Sequence, residues 1–308
     1  MYKRDYSIDI IKGIAIFFVL WGHSIQCIAG DEGFFSNWMI KFIYSFHMPL
    51  FMMISGYLFF KSCHRSFLTI LKGRLISLGI PFIVWNFLLY IRKCVFDFLT
   101  PHIIHFNFSE MLNALVSGLW FLSSIFIITM LSSIIVKLFK KYKYVISAVT
   151  WICLILLNRL VGDHTADLFP FFIFGFAIAE NKKLFASINK YSFGAYSVFA
   201  VLLIGVKEQY FVYVSGINPF TSDYGFIQQV WFDLYRLLIG VAGSLSIILF
   251  VKRTYQCWAK SIAHYLSTLG NNTLQIYVMQ SFFLEGVLSQ AVERLLITGG
   301  GTGRIICT

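Results

Sequence analysis

Three ionisable side chains, Asp9, Lys12 and His23, interrupt one apolar stretch near the start of the chain, SIDIIKGIAIFFVLWGHS. Eleven residues of helix amount to three turns plus roughly 20°, so Lys12 and His23 share one stripe, about 16 Å apart along the axis. Asp9 sits one turn before Lys12, within reach of an ion pair. Imidazole is the usual side chain for moving a proton near neutral pH. The stripe therefore offers a general base at one end and an ion pair at the other. Each group also has a plainer use. Asp9 and Lys12 can snorkel to an interface, and His23 can satisfy a hydrogen bond within a core.

A second group lies in FHMPLFMMISGYLF. Pro49 must kink a helix there, and Gly56 permits close approach of a neighbour. His47 precedes the kink and is expected to face a cavity, with Ser55 and Tyr57 as groups that orient a substrate. The following segment, KSCHRSFLTILKGRLISLGIP, sets Arg65, Lys72 and Arg74 among Phe67, Leu68, Ile70 and Leu71. That pattern suits an interfacial amphipathic helix, serving either as a lipid-headgroup anchor or as a cradle for phosphates.

Such residues need elements to position them, and composition says what those are. Hydrophobic residues make up 58% of the 308 and charged ones 13%, Phe occurs 34 times, and mean hydropathy is +0.75. A soluble domain averages about 45–50% apolar and about 25% charged. These figures exclude a soluble enzyme, a disordered chain and a disulfide-rich secreted domain. Apolar runs long enough for a helical crossing lie near 8–28, 38–60, 75–91, 115–136, 145–160, 166–181, 192–206, 231–251 and 270–290. The expected fold is an all-α polytopic transmembrane bundle of about nine to ten spans. It forms one domain over 1–290, followed by a glycine-rich tail over 291–308. The opening run carries charges and lacks a small-residue cleavage site, so it is expected to be a retained span rather than a signal peptide.

The net charge of +11 is read as topology. With the N-terminus in the cytoplasm, sixteen of the 25 Lys and Arg fall in inner segments, four in outer loops and two in the tail. This is the positive-inside bias of a membrane protein, and it removes the case for a nucleic-acid partner. The six cysteines show no CxxC and no metal-type spacing, so no metal is expected and inert packing is the reading for them. The aromatic outer segment KEQYFVYVSGINPFTSDYGFIQQVW is expected to lie in the interfacial belt.

With these motifs in place, the chain resembles the acyltransferase-3 family of integral-membrane acyltransferases. SIDIIKGIAIFFVLWGHS is similar to that family's signature of Arg or Lys, ten residues and then His, carried here by Lys12 and His23. Asp9 and Gly13 also fall where the pattern has them. FHMPLFMMISGYLF resembles the second-span motif of the sugar O-acetylase branch. KGRLISLGIPFIVWN, LWFLSSIF, FPFFIFGFAIAE and GNNTLQIYVMQ resemble later landmarks in the expected order. Two departures stand out: Gln280 replaces a frequent histidine, and the glycine-rich tail replaces a final membrane helix.

The resemblance implies a multi-pass protein of the bacterial inner (cytoplasmic) membrane. It would move an acyl group, most often acetyl, from cytoplasmic acyl-CoA to a hydroxyl of a cell-surface glycan or lipid-linked sugar. Acyl-CoA would be a co-substrate, with no bound cofactor. Lys72, Arg74 and Arg65 are the expected donor-binding residues, and His23, Lys12 and Asp9 the catalytic group. His47, Ser55 and Tyr57 would serve the acceptor. His23 could act as a direct general base or carry the acyl group covalently. A glycolipid transporter or flippase serves equally well for kinked helices and intramembrane charge, and a silent membrane scaffold is the third reading. From the donor assignment, Arg74→Ala is expected to raise the KM for acyl-CoA several-fold while leaving that for the acceptor nearly unchanged. Equal losses for both substrates in steady-state kinetics would make Arg74 a structural residue.

Overall fold

The computed structural model describes residues 5–34, 36–99, 108–157, 164–211 and 224–288. Among them every regular element is helical. In chain order these are α1 (Tyr6–Phe34), α2 (Trp38–Ser62), α3 (Phe67–Arg74), α4 (Ile80–Leu99), α5 (Phe108–Ser117), α6 (Trp120–Leu138) and α7 (Lys143–Leu156). They continue as α8 (Thr165–Glu180), α9 (Lys182–Lys190), α10 (Ser192–Ile204), α11 (Phe226–Thr254), α12 (Lys260–Asn271) and α13 (Thr273–Phe282). The tail over 291–308 lies outside the described residues.

Five helical segments are long and apolar enough to cross a membrane: Tyr6–Cys27, Trp38–Ser62, Phe67–Phe96, Trp120–Leu138 and Phe226–Cys257. The fifth, sixth and seventh expected spans are the shorter helices α7, α8 and α10. The ninth is α13, continued by a π-helical stretch over Phe283–Leu288. Asn272 ends α12 and precedes α13, and its side-chain amide turns back to donate to the Thr268 carbonyl at 2.8 Å. The expected amphipathic helix over 67–74 is α3, and it runs through a π turn, Leu75–Gly79, into α4. Pro81 follows that turn and has no N–H for the preceding carbonyls, which favours a wider turn.

Side-chain caps start several helices. The Asn37 carboxamide accepts from the Met39 N–H at 2.8 Å, and the Ser66 hydroxyl from that of Thr69 at 3.2 Å. The basic ends gather on one face through contacts between distant loops. Lys137 donates to the Arg65 carbonyl, Lys143 pairs with Glu180, and Arg253 bonds Asn189. The sidedness read from charge is thereby built into the bundle.

Helix α2 is the hub, packing against α1, α6, α8 and α11. Two crossings bring backbones into contact. A methyl at Gly13 would lie 1.9 Å from the Leu266 carbonyl oxygen, and one at Gly270 would lie 1.7 Å from that of Asp9. The second crossing repeats the arrangement between Gly56 on α2 and Gly175 on α8, at 1.9 Å from the carbonyl oxygens of Phe172 and Met53. Cβ positions lean toward a helix's N-terminus, so this reciprocal geometry makes each pair run parallel. The crossings set where α1 and α2 present their polar residues.

Gly270→Ala is expected to destabilise the protein by about 2 kcal/mol or more, because neither backbone can yield to the added methyl. Gly194, on α10, has open space at the same position. Its replacement by alanine is expected to be neutral or stabilising by up to about 1 kcal/mol. Thermal unfolding of the intact protein in detergent compares the two, and equal effects would show that the crossing is not close.

Candidate functional site

On α1 the stripe is present. Lys12 Nζ pairs with Asp9 Oδ1 at 3.0 Å, with Asp9 buried. Lys12, Ile16 and Val19, at successive turns, line a cavity of about 670 Å³. Its other walls are α2 through Met48, Phe51, Ser55 and Leu58, the start of α6 through Phe121 and Ile125, and Tyr277 of α13. Leu78 of the π turn also lines it, and Arg74 lies one turn earlier in the same continuous helix. Arg65 and Lys72 are exposed nearby in sequence. The cavity is mostly apolar, and Lys12, paired with Asp9, is its charged lining residue among those described.

His23 continues the stripe one turn beyond Val19. It lines neither this cavity nor the one described next, but its Nδ1 is buried within the bundle. It sits where α1 meets the outer half of α2, since Gly22 touches Tyr44 and Ile43. The Tyr44 ring stands edge-on to His47, 4.9 Å between centroids.

His47 is buried, and its Nδ1 lies 2.8 Å from the Ile43 carbonyl oxygen. A carbonyl only accepts, so Nδ1 carries the hydrogen and Nε2 keeps the lone pair of the neutral ring. His47 lines a second cavity of about 970 Å³, on the side away from the basic face. Met48 lines both cavities, and Trp120 and Phe121, adjacent on α6, line one each. The two spaces thus share a lining residue on α2 and adjoining residues on α6.

The far-side cavity draws on residues that spacing alone did not single out. Asp233 and Arg236, one turn apart on α11, form an ion pair. Arg236 also lies within electrostatic reach of Asp167 on α8. His164 Nδ1 is 3.4 Å from Asp167 Oδ2. His164 has φ 64°, a left-handed conformation rarely adopted outside glycine, just before α8 begins. Pro170 cannot bond the Ala166 carbonyl four residues back, and the Trp151 indole N–H takes that carbonyl at 2.9 Å. Tyr210 and Phe211 line this cavity as well. That part of the aromatic outer segment serves a pocket, not only the interfacial belt.

Tyr57 lies elsewhere. It lines a small apolar slot near the basic face with Ile8, Phe185 and Lys252, whose ammonium sits 5.5 Å from the Tyr57 ring centroid. Two residues along α2 from Ser55, it points away from the stripe cavity. Gln280 is buried on α13, its amide nitrogen 3.2 Å from the Ser281 hydroxyl. Among the described residues no three His, Cys, Asp or Glu side chains gather as a metal site would require.

The described residues form a membrane-type helical bundle with two cavities that share Met48. The chain belongs to the acyltransferase-3 family, whose model, described as an acyltransferase domain, matches residues 5–292. Among known proteins it is similar to the nodulation protein NolL of Sinorhizobium fredii, 32% identical over 188 residues, covering 58% of this chain and 50% of the relative. It is also similar to the nodulation protein NolL of Mesorhizobium japonicum, 26% identical over 293 residues, covering 90% of this chain and 76% of the relative. The match thus spans half the length of the first relative. No solved structure matches the chain.

The far-side ion pairs carry a stability consequence. Arg236→Met leaves two largely enclosed carboxylates without their cation and is expected to cost about 3 kcal/mol. Lys93→Met removes one partner of the exposed Lys93–Glu110 pair and should stay within about 1 kcal/mol. Similar shifts for both variants in a thermal melt would mean that the Arg236 pairs are solvated.

Proposed function

We propose that the protein transfers an acyl group, acetyl in the first instance, from acyl-CoA at the basic face to a hydroxyl of a glycan or lipid-linked sugar on the opposite face. The observation that supports this reading is the mostly apolar cavity along Lys12, Ile16 and Val19, on the same stripe of α1 as His23, which shares Met48 with the far-side cavity.

The phosphates of CoA would rest among Arg74, Lys72 and Arg65, with Lys12 further in, held by charge-assisted bonds. Its narrow, extended arm matches an apolar passage of this kind. Neutral His23 would take the proton of the acceptor hydroxyl as that oxygen attacks the thioester carbonyl. The carbon–sulfur bond breaks, and the imidazolium returns the proton to the departing thiolate. The products are an ester and free CoA. The Lys12–Asp9 pair would fix the positive charge near the donor end without leaving an isolated ion in lipid. His47, with Nε2 available, would hold the acceptor hydroxyl from the far side, and Ser55 would offer a hydroxyl along the passage. A structural reading of His23 needs only a buried hydrogen bond; the stripe it shares with Lys12 favours the catalytic one.

His23→Ala is expected to lower acceptor-dependent release of CoA from acetyl-CoA by at least about a hundredfold, while the protein still inserts and accumulates normally. Retention of most activity in purified protein would remove His23 from the reaction. Absence of any CoA release from the unaltered protein would remove the acyl-CoA assignment.

A further inference from the structure

The slot that Tyr57 lines has no part in the acyl-transfer reading. It measures about 420 Å³ and lies between α1, α2, α8, α9 and α11. Helices α2 and α11 both run toward the basic face, ending in Lys61 and in Lys252 and Arg253. Met53 and Leu245 therefore line the deep part of the slot, and both are buried. Tyr57, Phe185 and Lys252 line its other end, and each is partly exposed. From Leu245 to Lys252 is seven residues of helix, about 10 Å. Gly175, where α8 touches α2, adds no side chain to fill the space.

The slot is apolar except at its exposed end. There the Lys252 ammonium lies 4.7 Å from the Phe185 ring centroid and 5.5 Å from that of Tyr57. Both rings line the slot, so the charge is turned toward the opening, where a snorkelling lysine would need only water. Among the described residues no carboxylate lies within ion-pair distance of Lys252, and the Tyr57 hydroxyl has no hydrogen-bond partner. Asp5, just before α1, is engaged by the N–H and hydroxyl of Ser7. Lys61, one turn beyond Tyr57 on α2, adds a second positive charge at the basic face. A narrow apolar space closed by an ammonium and a phenolic donor suits an alkyl chain with an anionic head. Basic pockets between membrane helices hold lipid head groups in this way.

We infer that the slot binds one acyl chain of an anionic phospholipid from the leaflet on the basic face, its phosphate held by the Lys252 ammonium and the Tyr57 hydroxyl. This goes beyond the acyl-transfer reading and does not depend on it. Ile54 lines both the slot and the stripe cavity, so the bound chain would rest against a wall of the proposed donor passage.

The test is native mass spectrometry of the intact protein in detergent, titrated separately with dioleoyl phosphatidylglycerol, dioleoyl phosphatidylcholine and oleic acid. The first phosphatidylglycerol is expected to bind at least about fivefold more tightly than phosphatidylcholine. Lys252→Gln should remove about that factor for phosphatidylglycerol and leave phosphatidylcholine unchanged. Tyr57→Phe keeps the ring, should weaken phosphatidylglycerol severalfold, and decides the matter if Lys252→Gln does not accumulate. Lys140→Gln removes an exposed charge from a segment that does not line the slot and should change binding less than about twofold. Ile248→Trp fills the slot with its charges intact and should also abolish the preference. Equal binding of the two phospholipids by the unaltered protein would overturn the assignment. So would equal effects of Lys252→Gln and Lys140→Gln, which would mean a diffuse surface attraction. Tighter binding of oleic acid than of phosphatidylglycerol would make the slot a fatty-acid site and overturn the phospholipid reading.

Discussion

The carbonyl of Asp9 rests against the α-carbon of Gly270, and much else depends on that contact. In lipid there is no hydrophobic drive between helices, since the tails are as apolar as the side chains. Close backbone approach at small residues supplies the cohesion instead. The Gly13–Gly270 crossing locks α12 to α1, and the Gly56–Gly175 crossing locks α8 to α2. The first sets the depth and facing of the stripe that carries Lys12. The second brings Asp167 and Pro170 to the side of α2 where His47 emerges.

Around these crossings several charged groups of the described residues have partners within the bundle. Lys12 has Asp9, Arg236 has Asp233 with Asp167 near, and Arg92 donates to the carbonyls of Ser281 and Phe282 at the end of α13. Each arrangement joins a site-forming residue to a partner that also stabilises the bundle. Met48 lines both cavities. A long unbranched side chain with several rotatable bonds is a yielding partition.

Proline serves the far-side cavity twice. Pro49 and Pro170 each release a carbonyl from the helical ladder in the part of the bundle that lines the cavity. The one freed by Pro170 anchors Trp151. The left-handed backbone at His164 turns the chain into α8 and sets that imidazole beside Asp167. Kinks and local strain here shape a space that regular helices would close.

Composition, span periodicity and the loop charges determined by themselves that this is a membrane bundle with a basic face. They also determined that Lys12 and His23 share one side of the first helix. Those features follow from bilayer thickness and from 3.6 residues per turn, both readable along a single chain. The separate helix α12 ahead of the last span was less legible, because Lys260–Asn271 is short and mixes polar with apolar residues. Only the tertiary structure decided that Asp167, Asp233, Arg236, His164 and Trp151 face one cavity, or that Tyr57 turns away from Ser55. These residues lie on different helices, and helix rotation is set by backbone crossings between distant glycines. No local pattern records which distant segment fills the opposite side of a contact.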